Sequence, residues 1–518
     1  MSLRAGTKGL WRTAARALEK AAPRWGLIVG LGITGAAGLS TIRQPEFGDG
    51  AAYMIPNALI MSRSFSPFIE DEVHPPFYFM VEGVAFRLLG PHVEVAHGLC
   101  LLFSLGAVAA VYALGAGLAS PRAGSIAAVL LASWPPFLVQ TTMVRLDMPV
   151  ATLSVITLLA AFKGWPLAYV VLGSLAALTK APGVLASAVV ALAGTIGLFT
   201  PRFRKALLWV PVGVYATWLV ACKLHYGWFL YPENVKDFSV LDRPWSALEG
   251  LAFWMRRLMV DQWAWVPMGA GVLAAAWGRW LLLMPLAAGI GAAALIPGIH
   301  LAEGAAAGLF IALAALAVTR GGFWWVLPAF ALAVMLLFST YLYRFPRYML
   351  LVWPGLAICC GFGLARWRFG LMVALLCAGL MGFNAFSDAI WRPDEWSGHE
   401  STFTYRQYVR CRKVAADYLQ VVATGRRILA AGKAAEDLTV PALGYVDQPL
   451  SVTRSSFTCE DLAECGFYYE LRTLDGETEE GMRLRLRRCD IRAIRRIGVE
   501  WRDSFGVGEA IVYSLDPT

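Results

Sequence analysis

Apolar runs long enough to cross a lipid bilayer recur along this chain, and nothing else in the sequence constrains its fold as tightly. They fall near residues 25–42, 93–118, 124–140, 147–163, 166–180, 182–199, 206–224, 262–277, 280–297, 302–319, 322–342, 347–365 and 368–387. A helix of about 20 apolar residues matches a hydrocarbon core about 30 Å thick. Composition agrees: 58% of residues are hydrophobic and 16% charged, against about 45–50% apolar and about 25% charged in soluble chains. The expected fold class is a polytopic α-helical membrane protein with about thirteen transmembrane helices. Phe77–Gly90 reads as a further short or re-entrant helix. The 20 Trp and 17 Tyr suit many membrane–water interfaces.

The charges between these runs give an orientation. Alternate connections carry Arg122; Lys163; Arg202, Arg204 and Lys205; Arg279; Arg320; and Arg366 with Arg368, with no acidic residue among them. The other connections hold Asp49, Glu70–Glu72, Asp147, Glu233, Asp237, Asp242 and Glu303. Positive residues mark the cytoplasmic side. The first run follows Arg4, Lys8, Arg12, Arg16, Lys20 and Arg24 and is followed by no small-residue cleavage site, so it reads as an uncleaved first helix with a cytoplasmic N-terminus. An odd number of spans places the tail outside. The formal charge of +9 follows from this topology and implies no nucleic-acid partner. The expected location is the plasma (inner) membrane.

Residues 1–387 thus read as a transmembrane domain and 388–518 as an extracytoplasmic α/β domain with its own core. In the tail, Arg427-Ile-Leu-Ala-Ala and Ala510-Ile-Val-Tyr-Ser read as strands. Val409–Val422 reads as an amphipathic helix with Val414, Ala415, Tyr418, Leu419 and Val422 on one side. Cys100, Cys222, Cys359, Cys360 and Cys377 lie in apolar runs and act as small hydrophobes. Cys411, Cys459, Cys465 and Cys489 all fall in the tail, where an oxidising space favours two disulfides.

The candidate chemistry gathers on the outer side. Residues 43–92 form a long first external loop, too long for a mere connection. It contains Asp49 between glycines, the acidic run Glu70, Asp71 and Glu72, and a rigid His74-Pro75-Pro76 corner. An accessible carboxylate such as Asp49 is suited to accept a proton from an attacking hydroxyl. Arg145-Leu-Asp147 offers a guanidinium held by a carboxylate and matched to phosphate. Lys180, in Thr179-Lys180-Ala-Pro182-Gly183, interrupts an apolar stretch, which is costly unless the ammonium snorkels or binds an anion. Arg344, Arg347 and Tyr348 fall in an aromatic, cationic segment suited to a phosphate at the membrane surface. His74 is a phosphate or sugar donor, or a cap for the helix opened by the prolines. Each of these also has a structural alternative: a loop acid, a salt bridge, a snorkelling lysine, an aromatic belt. A metal bound by Glu70, Asp71, Glu72 and His74 is the weaker reading, and no metal or other cofactor is expected to be required.

With these motifs in order, the chain resembles the GT-C class of integral-membrane glycosyltransferases, near the protein O-mannosyltransferases and the lipid A aminoarabinose transferases. The similarity runs over roughly 25–385. It rests on Asp49 with Tyr53, Pro75-Pro76-Phe77-Tyr78, Arg145-Leu-Asp147, Thr179 to Gly183, and Arg347-Tyr348 leading to Pro354. The family's acid after the catalytic Asp is here Gly50, which leaves Asp49 as the sole carry-over. The resemblance implies inverting transfer of a sugar from a polyprenyl-phosphate donor on the extracytoplasmic face, with Asp49 as base. Arg145, Lys180, Arg344, Arg347 and Tyr348 would bind the donor's phosphate and lipid, with Tyr53, His74 and Asp147 nearby. The acceptor, whether glycolipid, polysaccharide or protein, is not named by the sequence. The rival readings are a transporter or flippase for lipid-linked glycans and a non-catalytic assembly protein. Charges gathered at one membrane face, not in mid-membrane, favour the enzyme over a transporter.

Overall fold

A helix lies on each of the apolar runs. The structure is a computed structural model describing residues 24–69, 74–236, 246–258, 263–276, 283–295, 301–341, 344–386, 403–430, 432–454, 464–473, 488–489, 491–503 and 506–517. Glu70–Glu72, Asp237, Asp242, Arg279, Cys459 and the basic residues before Arg24 lie outside these. Several boundaries coincide with the expected ones, as in Val93–Leu118 and Asp147–Lys163. Among the described residues, Val93–Leu118, Lys205–Tyr226 and Gly322–Ser339 are long and apolar enough to cross a membrane by length and composition.

Proline explains where helices break. The run at 124–140 is two helices, Pro121–Ser133 and Pro135–Val139, because Trp134 is extended ahead of Pro135. The run at 347–365 opens as a 3-10 turn, Pro346–Leu351, before the helix Trp353–Ala365. The described parts of the 43–92 segment are largely helical. They contain a short π-helix, Gly50–Met54, continuing into Ile55–Ser64, and then the helix Phe77–Leu89. The latter two pack at close range, since a Cβ on Gly83 would lie 2.8 Å from the Met61 side chain.

The C-terminal region carries a five-stranded sheet of order β2-β1-β3-β5-β4, with β1 Ile428–Ala430, β2 Val452–Arg454, β3 Phe467–Thr473, β4 Ile491–Asp503 and β5 Gly506–Pro517. The β1 pairings are parallel; β5 pairs antiparallel with β3 and β4. Side chains alternate across a strand. Ile428, Ala430, Phe467, Tyr469, Ala510 and Val512 face one core, and Leu429, Tyr468, Ile511 and Tyr513 face another. The first core is not private to the tail. It is continuous with Phe47, Met54, Met61, Tyr78 and Met143 of the loop and helix ends.

Two expectations about the tail need correction. The amphipathic helix is Arg406–Val422, but its buried stripe runs through Tyr408, Val409, Cys411, Arg412, Ala415, Ala416 and Leu419, while Val414 is exposed. Cys489 is disulfide-bonded. Cys411 and Cys465 are instead buried thiols, the Cys411 thiol donating to the Glu500 carbonyl at 3.0 Å. The four tail cysteines therefore hold one bridge at most among themselves, not two.

Candidate functional site

Three helix or turn starts meet where the chemistry-bearing residues converge. Asp147 is the first residue of the helix Asp147–Lys163, where a carboxylate complements the helix dipole. Lys180 is extended ahead of the 3-10 turn Ala181–Gly183, and Pro182 fixes that turn. Arg347 sits on the 3-10 turn begun by Pro346.

The three side chains and Asp49 form a continuous charge chain. Lys180 Nζ donates to Asp147 Oδ1 at 2.7 Å. Arg347 Nε lies 3.3 Å from Asp147 Oδ2, and Arg347 Nη2 donates to Asp49 Oδ2 at 2.7 Å. Asp147, Lys180 and Arg347 are buried, whereas the Asp49 side chain is 43% exposed. Burial makes such pairs strong only when both partners are present. Asp49 is thus the end of the chain that an incoming group can reach.

On the other side of Arg347 lies a cavity of about 240 Å³. Lys180, Arg347 and His74 are among its polar lining residues; Trp218, Leu219, Trp228, Phe229, Leu230 and Leu337 are among its apolar ones. Lys180 Nζ stands 4.8 Å from the centre of the Tyr348 ring, which stacks on Phe338 at 4.3 Å. The loop is fastened over this cavity. Phe77 N–H donates to the Leu178 carbonyl at 3.0 Å, Tyr226 hydroxyl donates to the Ile69 carbonyl at 2.8 Å, and Phe68 stacks on His225 at 4.2 Å. His74 is enclosed. Burial, then the neighbouring Lys180 charge, pushes its pKa down from 6.5 to about 3. Both effects favour the neutral imidazole.

The site residues expected from sequence divide in two. Asp49, His74, Asp147, Lys180, Arg347 and Tyr348 come together. Arg145 and Arg344 do not line the cavity. Arg145 is not held by Asp147; its Nη2 donates to the Phe47 carbonyl at 3.2 Å and its Nη1 lies 3.9 Å from Glu46 Oε1. Arg and Asp two apart at a helix start point to different sides, so Asp147 serves Lys180 and Arg347. Arg344 stands over the Phe253 ring at 4.9 Å. Tyr53 is exposed on the Gly50–Met54 turn. Among the described residues, no group of three or more His, Cys, Asp or Glu side chains is placed to hold a metal ion. Glu46, buried three residues before Asp49, and the cavity-lining Trp218 and Trp228 belong to none of the sequence motifs. The run of aromatics from Tyr226 to Tyr231 was the available signal.

No family model matches the chain, and no curated protein matches it. Solved structures do. ArnT from Cupriavidus metallidurans bound to undecaprenyl phosphate superposes with a TM-score of 0.53 at 14% identity, covering 95% of this chain and 98% of that one. The same protein in the apo state gives 0.54 at 14% identity, covering 96% and 98%. An oligosaccharyltransferase from Archaeoglobus fulgidus is more distant, with a TM-score of 0.44 at 14% identity over 81% of this chain and 61% of that one. Nearly the whole length of this chain therefore shares the fold of ArnT, a GT-C enzyme.

Proposed function

We propose that this protein is an integral-membrane glycosyltransferase that moves a sugar from a polyprenyl-phosphate donor to an acceptor hydroxyl on the extracytoplasmic face. The observation that carries the reading is a cavity lined both by two cations, Lys180 and Arg347, and by apolar and aromatic side chains. A phosphate with a long hydrocarbon tail complements both. The ArnT structure bound to undecaprenyl phosphate supports the choice of ligand class. Under this reading the helices on the apolar runs span the membrane and the C-terminal region lies outside.

In the mechanism, Lys180 and Arg347 hold the donor phosphate through charge-assisted bonds. The acceptor oxygen attacks the anomeric carbon from the side opposite the phosphate. The bond from that carbon to the phosphate oxygen breaks, its electron pair leaves with the lipid phosphate, and configuration inverts. Asp49 takes the acceptor's proton. Lys180 and Arg347 oppose the charge that builds on the departing phosphate. The pairing of Asp49 with Arg347 couples the two events, because a phosphate drawing on the same guanidinium weakens its hold on the carboxylate.

Two measurements check this. Lys180→Ala should weaken binding of a polyprenyl-phosphate sugar to purified protein in nanodiscs by about 10–150-fold, since a charge-assisted bond contributes about 1.5–3 kcal/mol. Unchanged binding would remove Lys180 from the phosphate site. For the topology, a cysteine replacing exposed Ser64 should react with an impermeant maleimide in outer-permeabilised cells, and one replacing exposed Arg202 should not. The reverse pattern would invert the orientation and the face on which transfer is placed.

A further inference from the structure

We propose that Glu46 is a positioning residue for Asp49, and that the C-terminal region clamps the segment it controls; this rests on the reading of Asp49 as base. Glu46 is 1% exposed, three residues before Asp49. Its Oε2 lies 2.9 Å from His97 Nε2 and accepts from the Val144 N–H at 3.2 Å. His97 Nδ1 lies 3.0 Å from the Ile42 carbonyl, so the same ring ties the end of the first helix to this carboxylate. Arg145 completes the cluster, reaching Glu46 and the Phe47 carbonyl together.

These contacts surround the peptide that carries Asp49. Gly48 has φ +61, and a Cβ there would lie 2.7 Å from Arg145 Nη2. That position needs glycine both for its left-handed backbone and for the guanidinium's approach. On the other side of Asp49, a Cβ on Gly50 would lie 2.3 Å from Glu46 Oε1. The Glu46 carboxylate therefore occupies the space a side chain at position 50 would need. With Arg145 beneath Gly48 and Glu46 against Gly50, the peptide between them has little freedom to move.

The C-terminal region meets the same few residues. Glu46 N–H donates to the Leu443 carbonyl at 2.9 Å, and the Phe47 ring packs on Tyr405 at 4.8 Å. Gly444, at φ +83, comes close to Pro45, a Cβ there falling 3.3 Å from the Pro45 Cα. The segment ahead of Asp49 is thus held by Arg145, His97 and the tail at once. Glu46 touches neither the cavity nor Asp49's carboxylate, so its effect passes through backbone position.

Glu46→Gln keeps the shape and removes the charge that faces Arg145 and His97. It should lower kcat by about 10²-fold, as a misplacement near 1 Å does, while donor affinity and melting temperature stay near wild type. Hydrogen exchange at the amides of residues 48–54 should quicken, with no change in the helix Asp147–Lys163. Gly50→Ala should reproduce the effect by displacing the carboxylate, and in a Glu46→Ala background it should add nothing further. Loss of donor affinity and melting temperature in proportion to kcat would make Glu46 merely structural and overturn the proposal. Unchanged kcat with unchanged exchange would overturn it as well. If wild-type protein transfers no sugar, the transferase reading fails, and the exchange measurement still decides whether Glu46 holds this segment.

Discussion

Replacing Asp49 by Asn should lower sugar transfer by about 10²–10⁴-fold, the contribution typical of a positioned carboxylate base. The amide cannot take the acceptor's proton at neutral pH, yet it fills the same volume. Donor binding should survive, because Lys180 and Arg347 remain held by Asp147. Losing the Asp49 partner would leave Arg347 more available to phosphate, so affinity should hold or rise. The assay is single-turnover transfer from a polyprenyl-phosphate sugar, with donor binding measured in parallel. Near-normal turnover in the Asn variant would show that Asp49 is not the base. Equal loss of binding and turnover would instead assign Asp49 to holding Arg347 in place.

The second large effect is on stability. Arg412 is 1% exposed and Asp437 fully buried. Arg412 Nε donates to Asp437 Oδ2 at 2.8 Å, and its Nη2 donates to Asp437 Oδ1. Arg412 Nη1 also donates to the Tyr408 hydroxyl at 3.2 Å, and the guanidinium lies over the Tyr445 ring at 4.7 Å. This pair joins the helices Arg406–Val422 and Gly432–Thr439 beneath the sheet. Arg412→Met should destabilise the C-terminal region by about 3–5 kcal/mol, because it leaves a buried carboxylate without its counter-charge. The double variant Arg412→Met/Asp437→Leu should recover most of that loss, since a well-packed apolar pair removes the stranded charge. Denaturant unfolding followed by tail tryptophan or tyrosine emission reads both. A single variant as stable as wild type would contradict the account of this core.

Much of the helical architecture was legible because length and hydropathy alone specify an apolar helix. Val93–Leu118 needs no partner to be recognised. The meeting of Asp49, Lys180 and Arg347 was legible more weakly, as three charges on one face placed there by loop signs, not by contacts. What the sequence hid was pairing. Asp147 lies two residues from Arg145, so the pair looked mutual, yet the helix start turns Asp147 toward Lys180 and Arg347. Glu46 was hidden for the same reason, since its partners His97, Val144 and Arg145 are far along the chain. Trp218 and Trp228 read as interface aromatics, the common fate of such rings, yet both line the cavity, Trp218 stacked on Phe68 of the loop and Trp228 on Tyr226. The tail reads as a domain by composition, but the face with Phe467, Tyr469 and Val512 finishes its core on the loop.

The most direct test is photo-crosslinking with a diazirine-bearing polyprenyl phosphate on purified protein in nanodiscs, with crosslinked peptides identified by mass spectrometry. Crosslinks should fall on Trp218, Leu219, Phe229 and Leu230, which line the cavity. Unlabelled polyprenyl phosphate should compete them away, and polyprenol, which lacks the phosphate for Lys180 and Arg347, should not. Crosslinks scattered over the lipid-facing helices, or equal competition by polyprenol, would contradict a lipid-phosphate site in this cavity.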